Sequence, residues 1–283
     1  MGYPIFIISL DRCANRFDFV ASQLNQQGLD FERVPAVDAS DFDRAFMRKY
    51  RRRSGYYQSL SPGEIACHLS HRKCWQLIVE RGLSAAVVLE DDVRLDPNFS
   101  SAIQSAEGLS KNWDYLKLHG SRRGWVETVR ADNGFSIVKF SRVPGYTFAQ
   151  IVNREAAEAL LAMNLPKARP IDVDLKWHWE IPGVRIRNLY PEIVFDESDN
   201  LGGSVIAQQG RKEKGDFRLR VSKVAYNLNF AWRNLGQNIK DFGLIDAIKL
   251  ERGELRLDQS LRSSRSLVRS SREISMRQIQ DTA

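Results

Sequence analysis

Residues 85–92 read Ala85-Ala86-Val87-Val88-Leu89-Glu90-Asp91-Asp92. Five apolar residues run straight into three carboxylates. A short, unbroken apolar run suits a strand buried on both faces, as inside a parallel sheet. The acids mark where that strand, Ala85 to Leu89, leaves the core. Three adjacent carboxylates repel one another unless a cation or arginines sit among them. A divalent ion with oxygen ligands satisfies such a cluster. A solvated acidic turn is the plainer reading of the same tripeptide.

Toward the N-terminus the chain alternates strand and helix. Pro4 to Ser9 is a short apolar run suited to a buried strand. Cys13 to Gln27 is expected to be helical, with Phe17, Val20, Ala21 and Leu24 on one face and Gly28 as the stop. Phe31 to Val37 is a second strand, followed by a polar, basic segment from Asp38 to Leu60 with weak periodicity. Ser61-Pro62-Gly63-Glu64 is a strong helix start, with a capping serine, a proline in the first turn and a glutamate to complete a capping box. That helix is expected to reach Arg81 and to end at Gly82. Such alternation implies a parallel sheet with right-handed crossovers. Ligands of these sheets bind beyond the carboxyl ends of the strands. Ser9 to Arg12, Ala36 to Asp38 and Glu90 to Asp92 are thereby placed around one crevice.

The second half is more mixed. Trp113 to Leu118, Ser136 to Phe140 and Tyr146 to Val152 read as strands. Asn153 is expected to cap a helix to Met163, and Asp172 a shorter one from Val173 to Glu180. Arg185 to Val194 reads as extended, and Leu201-Gly202-Gly203-Ser204 as a turn. Lys223 to Leu250 reads as helix. The organisation expected is a sheet domain over 1–210, a helical extension over 211–250 and a basic Ser/Arg-rich tail over 251–283.

Composition sets the outer bounds. The 283 residues are 43% hydrophobic and 27% charged, ordinary for a soluble chain. Cys13, Cys67 and Cys74 are odd in number and suit a reducing compartment. Ile5-Phe6-Ile7-Ile8 runs directly into Asp11 and Arg12 and does not read as a leader. No apolar stretch approaches the roughly 20 residues that span a bilayer. A cytoplasmic protein, peripheral at the inner face of the membrane at most, is expected.

The net charge of +7 is concentrated in Arg48 to Arg53 and in Arg262 to Arg277. Such clusters favour phosphate-bearing partners. The tail carries a seven-residue repeat, Leu261 to Leu267 and then Val268 to Ile274. It reads equally as a helix lying on an anionic membrane or as Ser-rich disorder. No nucleic-acid partner is expected, because RRM, zinc-finger and helix-turn-helix signatures are missing. Neither Gly-x-Gly-x-x-Gly nor a Gly-Lys-Ser/Thr phosphate loop occurs, which speaks against a Rossmann dehydrogenase or P-loop kinase.

Cys67, His68, His71 and Cys74 offer four soft ligands within eight residues. One straight helix cannot wrap four ligands around one zinc, so a packed helix is the expectation.

Several blocks together resemble glycosyltransferase family 25. The opening Ile5-Phe6-Ile7-Ile8-Ser9-Leu10-Asp11-Arg12, with Arg16 nearby, is similar to that family's start. Leu60-Ser61-Pro62-Gly63-Glu64-Ile65-Ala66-Cys67-His68-Leu69-Ser70-His71 resembles its central signature. Val87-Val88-Leu89-Glu90-Asp91-Asp92-Val93 resembles its metal motif. Pro144-Gly145-Tyr146 with Asn153 to Leu161, and then Pro170 to Leu175, resemble later blocks. The blocks keep the family's order over residues 3 to 206. The family includes lipooligosaccharide and collagen galactosyltransferases.

The resemblance implies an α/β fold of GT-A type, a Rossmann-like mixed sheet flanked by helices. It also implies a UDP-sugar donor, galactose being the family's hexose, a glycan or glycolipid acceptor, Mn²⁺ or Mg²⁺, and inversion at the anomeric carbon. On that basis Asp92 is the first choice for a metal ligand, assisted by Glu90 or by Asp91, which is otherwise assigned to the donor sugar or ribose. Ser9, Leu10, Arg12, Arg16, Glu64 and His71 are assigned to the donor side. Inverting transfer needs a carboxylate to take the acceptor's proton. Asp172 is the candidate base, with Asp174 as substitute, although capping a helix explains Asp172 as well. His178 is a candidate late ligand, which an aromatic cluster explains as well, and Tyr146 and Trp179 are candidate sugar platforms, although core packing is the more common fate of such rings. A non-catalytic glycan- or nucleotide-binding module that retains the fold is the alternative function.

Overall fold

A computed structural model describes residues 2–51, 57, 59–120, 125–130, 133–163, 169–203 and 217–251. The expected tail, 251–283, lies outside these apart from residue 251, as do Arg52, Arg53 and Ser204.

The strands are β1 (Ile5–Ser9), β2 (Glu32–Pro35), β3 (Ala85–Glu90), β4 (Val93–Leu95), β5 (Tyr115–Lys117), β6 (Trp125–Arg130), β7 (Ser136–Phe140), β8 (Ala149–Asn153), β9 (Ile186–Tyr190) and β10 (Val194–Asp196). The helices are α1 (Ala14–Gln26), α2 (Arg44–Arg51), α3 (Pro62–Glu80), α4 (Phe99–Gly108), α5 (Arg154–Ala162), α6 (Ile171–Lys176), α7 (Phe217–Phe242) and α8 (Leu244–Glu251).

Eight strands form one mixed sheet in the order β2-β1-β3-β8-β5-β9-β7-β6. β1 pairs in parallel with β2 and with β3, Ile8 standing opposite Glu90. β8 enters antiparallel on the far side of β3. The expected mixed α/β sheet flanked by helices is therefore present. β4 and β10 form a separate antiparallel pair in which Val93 faces Asp196.

The continuous apolar run of β3 follows from burial on both faces. Ala85, Val87 and Leu89 join the layer that holds α1 and α4. Ala86 and Val88 join the opposite layer, with α3, α5 and α6. Val87, Val88 and Leu89 are fully buried, and each contributes about 1.5–3 kcal/mol. α3 begins as its sequence demands: Ser61 Oγ accepts from the Glu64 amide and the Glu64 carboxylate accepts from the Ser61 amide.

Several expectations need correction. The weakly periodic segment from Asp38 to Leu60 holds a 3₁₀ turn at Ala39–Asp41 and then α2. β8 starts at Ala149 rather than Tyr146, because Tyr146 turns the chain with φ 63°. Asp172 does not cap its helix. α6 starts one residue before it, with Pro170 at the cap position, and a separate 3₁₀ turn covers His178–Glu180. β4, α4 and β6 were not anticipated.

α7 packs on the sheet domain. Trp177 Nε1 donates to Tyr226 Oη at 2.6 Å, and Asn234 Nδ2 donates to the Ser141 carbonyl at 2.9 Å. Gly243, with φ 81°, separates α7 from α8. Among the described residues no helix is long and apolar enough to cross a membrane.

Candidate functional site

The carboxyl ends of β1, β2 and β3 open into one crevice, as the strand order requires. Ser9, Leu10, Arg12, Arg16, Ala36 and Val37 line it together with Glu90, Asp91 and Asp92. A second cleft, of about 520 Å³, lies on the other side of the acids. Glu64, Tyr146, Thr147, Asp172, Asp196 and Ser198 line it. Cys67, Glu90 and Asp92 border both cavities. The end of β3 is thus the wall between two compartments, reachable from each.

One guanidinium pairs with two of the three carboxylates here. Arg16 extends from α1, its side chain only 8% exposed, with Nε 3.0 Å from Asp91 Oδ1. The same guanidinium closes an ion pair with Asp92. That charge does not balance the corner. Burial, and next the charge of Glu90, push the Asp92 carboxyl up to about 7. Burial also raises Asp91, against a hydrogen bond from Ser9 and the charge of Arg16. An excess of negative charge on buried oxygen donors fits a hard divalent ion such as Mn²⁺ or Mg²⁺.

Glu90 faces a different set of groups. Its Oε1 lies 3.1 Å from His71 Nε2 and 4.0 Å from Cys67 Sγ. Thr147 Oγ1 stands 3.4 Å away. His71 Nδ1 meets the Gln150 amide nitrogen at 3.1 Å. Cys67 and His71 fall one turn apart on α3 and point the same way. The other two soft candidates diverge: Cys74 is buried under the sheet, and His68 lies edge-on to Trp75.

The donor-side residues are partly gathered. Ser9, Leu10, Arg12 and Arg16 reach the crevice, and His71 lies beneath it. Arg12 is drawn into an ion pair with Asp38. Glu64 borders the larger cleft while completing its capping box.

The two candidate bases separate. Asp172 reaches the larger cleft, where Lys176 Nζ approaches its Oδ2 at 3.3 Å. Gly145 passes so close that a Cβ there would stand 3.3 Å from that oxygen. Asp174 is instead buried against Arg169 at 2.6 Å, and Arg169 also holds Glu180.

His178 and Trp179 pack with Trp177 and Phe230 beside α7. Burial lowers His178 to about 4. Tyr146, 69% exposed, stands on the rim of the larger cleft.

Four residues of the site carry no sequence signal strong enough to single them out. Asp196 arrives beside Asp92 only because β10 pairs with β4. Thr147 and Gln150 come from the antiparallel β8 side. Lys117 is fully buried, with Nζ 3.1 Å from the Pro144 carbonyl and 2.5 Å from that of Tyr146. It props the rim loop from below. A charge inside an otherwise apolar strand was the available hint.

Residues 3–147 match the family described as Glycosyltransferase family 25 (LPS biosynthesis protein). Among curated proteins, the chain is 30% identical over 186 residues to a bovine protein named "Probable inactive glycosyltransferase 25 family member 3". That match covers 62% of this chain and 31% of the relative. Identity to human "Procollagen galactosyltransferase 2" is 26% over 185 residues, covering 61% of this chain and 30% of the relative. The chain therefore spans about a third of the length of these curated relatives. A solved glycosyltransferase involved in glycosylating the major capsid of PBCV-1 is 16% identical with a TM-score of 0.38, over 66% of this chain and 82% of that one.

Proposed function

Since the chain belongs to glycosyltransferase family 25, we propose that it transfers a hexose from a UDP-sugar to a glycan acceptor with inversion at the anomeric carbon. The observation that carries this reading is the position of Glu90 and Asp92 on the wall between two cavities. A donor whose nucleotide lies in the crevice and whose sugar lies in the larger cleft has its diphosphate at that wall.

Each residue then has a task. Arg16 holds Asp91 and Asp92 in place. Asp92, with Glu90 or Asp91, would hold Mn²⁺ or Mg²⁺. When bound, such an ion neutralises charge on the departing diphosphate. Asp172 takes the proton from the acceptor hydroxyl as its oxygen bonds to the anomeric carbon and the bond to UDP breaks. The transition state has oxocarbenium character, as in glycoside hydrolysis. Tyr146, at the rim, offers a ring to a sugar face.

Galactose is the proposed hexose, supported by the resemblance to a procollagen galactosyltransferase. A lipooligosaccharide core is the proposed acceptor. The positive run beginning at Arg48 suits phosphates on a lipid-linked glycan, and peripheral contact with an anionic membrane belongs to the same proposal.

The name of the bovine relative supports a second reading, a non-catalytic module that binds a glycan or nucleotide. A donor screen separates the two. Purified protein with Mn²⁺ is offered UDP-galactose, UDP-glucose and their N-acetyl forms, with and without glycan acceptors. Transfer predicts UDP release with at least one donor and its loss in Asp92→Ala. No release from any donor supports the binding module.

A further inference from the structure

Behind the acidic corner, Cys67 and His71, which the transfer reading leaves without a chemical task, converge on Glu90, which that reading names only as an alternative to Asp91 beside Asp92. Cys67 and His71 project from one face of α3, and Glu90 meets them from the end of β3. One ligand atom from each lies within 4.8 Å of the others. We propose that Cys67, His71 and Glu90 form a binding site for a zinc-class ion, adjoining but distinct from the oxygen-donor corner at Asp92. This inference goes beyond the transfer reading and needs neither donor nor acceptor.

The distances are close to those the ion requires. Zinc bonds of about 2.3 Å to sulfur and about 2.1 Å to nitrogen and oxygen, at tetrahedral angles, put nitrogen and oxygen about 3.4 Å apart and sulfur and oxygen about 3.6 Å apart. The protein holds the first pair at 3.1 Å and the second at 4.0 Å. Each of these two separations is within about half an ångström of its ideal, and sulfur and nitrogen lie within 4.8 Å of each other against about 3.6 Å in a zinc site.

The donor set is also specific. A thiolate and an imidazole select zinc-like ions over Mn²⁺ or Mg²⁺, which prefer oxygen. Two ligands one helical turn apart plus a third from another element make a three-ligand site. All three line the smaller crevice, and Cys67 and Glu90 also border the larger cleft, so solvent for a fourth position is at hand.

Gln150 supplies an independent observation. It is fully buried, and among the described residues its Oε1 has no hydrogen-bond partner, while its amide nitrogen faces His71 Nδ1. Turning the amide over brings Oε1 onto Nδ1, where it accepts a hydrogen bond from Nδ1–H. His71 then carries its hydrogen on Nδ1 and aims the Nε2 lone pair at Glu90 and Cys67. A lone pair, a carboxylate and a thiolate facing one another suit a cation between them. A buried acceptor behind the imidazole is the usual outer support of a histidine ligand. Without the ion, Nε2–H donates to Glu90 and Gln150 returns. On binding, the Cys67 thiol releases its proton to solvent, so the ion meets a thiolate and a carboxylate.

Cobalt(II) provides the test, because a thiolate ligand gives it a near-ultraviolet charge-transfer band and tetrahedral geometry gives it intense visible bands. Reduced, metal-stripped full-length protein is titrated with Co²⁺ and then with an equimolar amount of Zn²⁺. The proposal predicts both band sets and their bleaching by zinc. Cys67→Ser loses the charge-transfer band, Cys13→Ser keeps it, and Glu90→Gln and Gln150→Leu weaken zinc binding about tenfold or more. Asp92→Asn keeps the band. Circular dichroism checks the fold of each variant, and Glu90→Gln, near-isosteric at the cleft wall, decides if Cys67→Ser does not fold. A wild-type spectrum showing oxygen ligation alone, a band that survives Cys67→Ser, or a band lost in Asp92→Asn overturns the proposal.

Discussion

Arg16 Nε, on α1, lies 3.0 Å from Asp91 Oδ1, at the end of β3. Both side chains are nearly buried, at 8% and 11% exposure. The pair joins the first crossover helix to the acidic corner, and the same guanidinium also closes on Asp92.

Removing that cation leaves buried carboxylates uncompensated. Arg16→Met is expected to lower stability by about 3–5 kcal/mol at neutral pH. Urea unfolding measures it. A divalent ion added to the variant should recover part of the loss by mass action, if it binds only the folded chain. A loss below about 1 kcal/mol would show that Arg16 is not the counter-charge of the corner.

Asp172 and Asp174, two residues apart, should behave in opposite ways. Asp172→Asn is expected to lower kcat for transfer about 10²- to 10⁴-fold, the usual worth of a general base, with little change in melting temperature. Asp174→Asn breaks a buried ion pair with Arg169. It should cost about 3 kcal/mol or more while the folded fraction keeps its turnover. Steady-state kinetics paired with thermal melts decide, and reversed phenotypes would exchange the two roles.

Lys117 supports the cleft rim through two carbonyls. Lys117→Met leaves both without a donor, at about 1–3 kcal/mol for each buried group. The loop that carries Tyr146 should shift, raising the acceptor KM more than it lowers kcat. An unchanged KM together with an unchanged melt would remove Lys117 from the site's support.

His119 is buried and stacked on Phe148, with ring centroids 3.8 Å apart. Burial, then the charge of Lys117, hold it well below the usual imidazole range. A depressed folded pKa means stability that is present above the unfolded value of about 6.5 and lost as pH falls below it. His119→Phe keeps the stack and removes the titration. Its melting temperature should therefore decline less than wild type between about pH 7 and pH 4. Parallel slopes would show that His119 does not contribute to acid sensitivity.

The first half of the fold was legible because its signals are local. The Ser61 cap and Glu64 box, the glycines at 28 and 82, and the apolar run of β3 each specify their own element, and these alternate strictly. Together they place the crevice before any contact is known. The cleft beyond it depends on long-range pairing. Asp196 reaches Asp92 through a strand pair whose partners stand about a hundred residues apart, and no periodicity records that. The cap lies two positions ahead of Asp172, since Pro170, already restricted in φ, takes the cap position. The sequestering of Asp174 requires Arg169 to fold back over the same short helix. Soft ligands along α3 were visible, but their third partner lies on β3, and a single-helix argument could not supply it.

In the proposed reaction the end of β3 binds a diphosphate through a divalent ion. Calorimetric titration of UDP into wild type and Asp92→Asn, each with and without Mn²⁺, tests it most directly. Mn²⁺ is expected to tighten UDP binding to wild type about tenfold or more, equal to about 1.4 kcal/mol, and Asp92→Asn to fold normally but lose this gain. Equal affinity with and without Mn²⁺, or a full gain retained by Asp92→Asn, would contradict it.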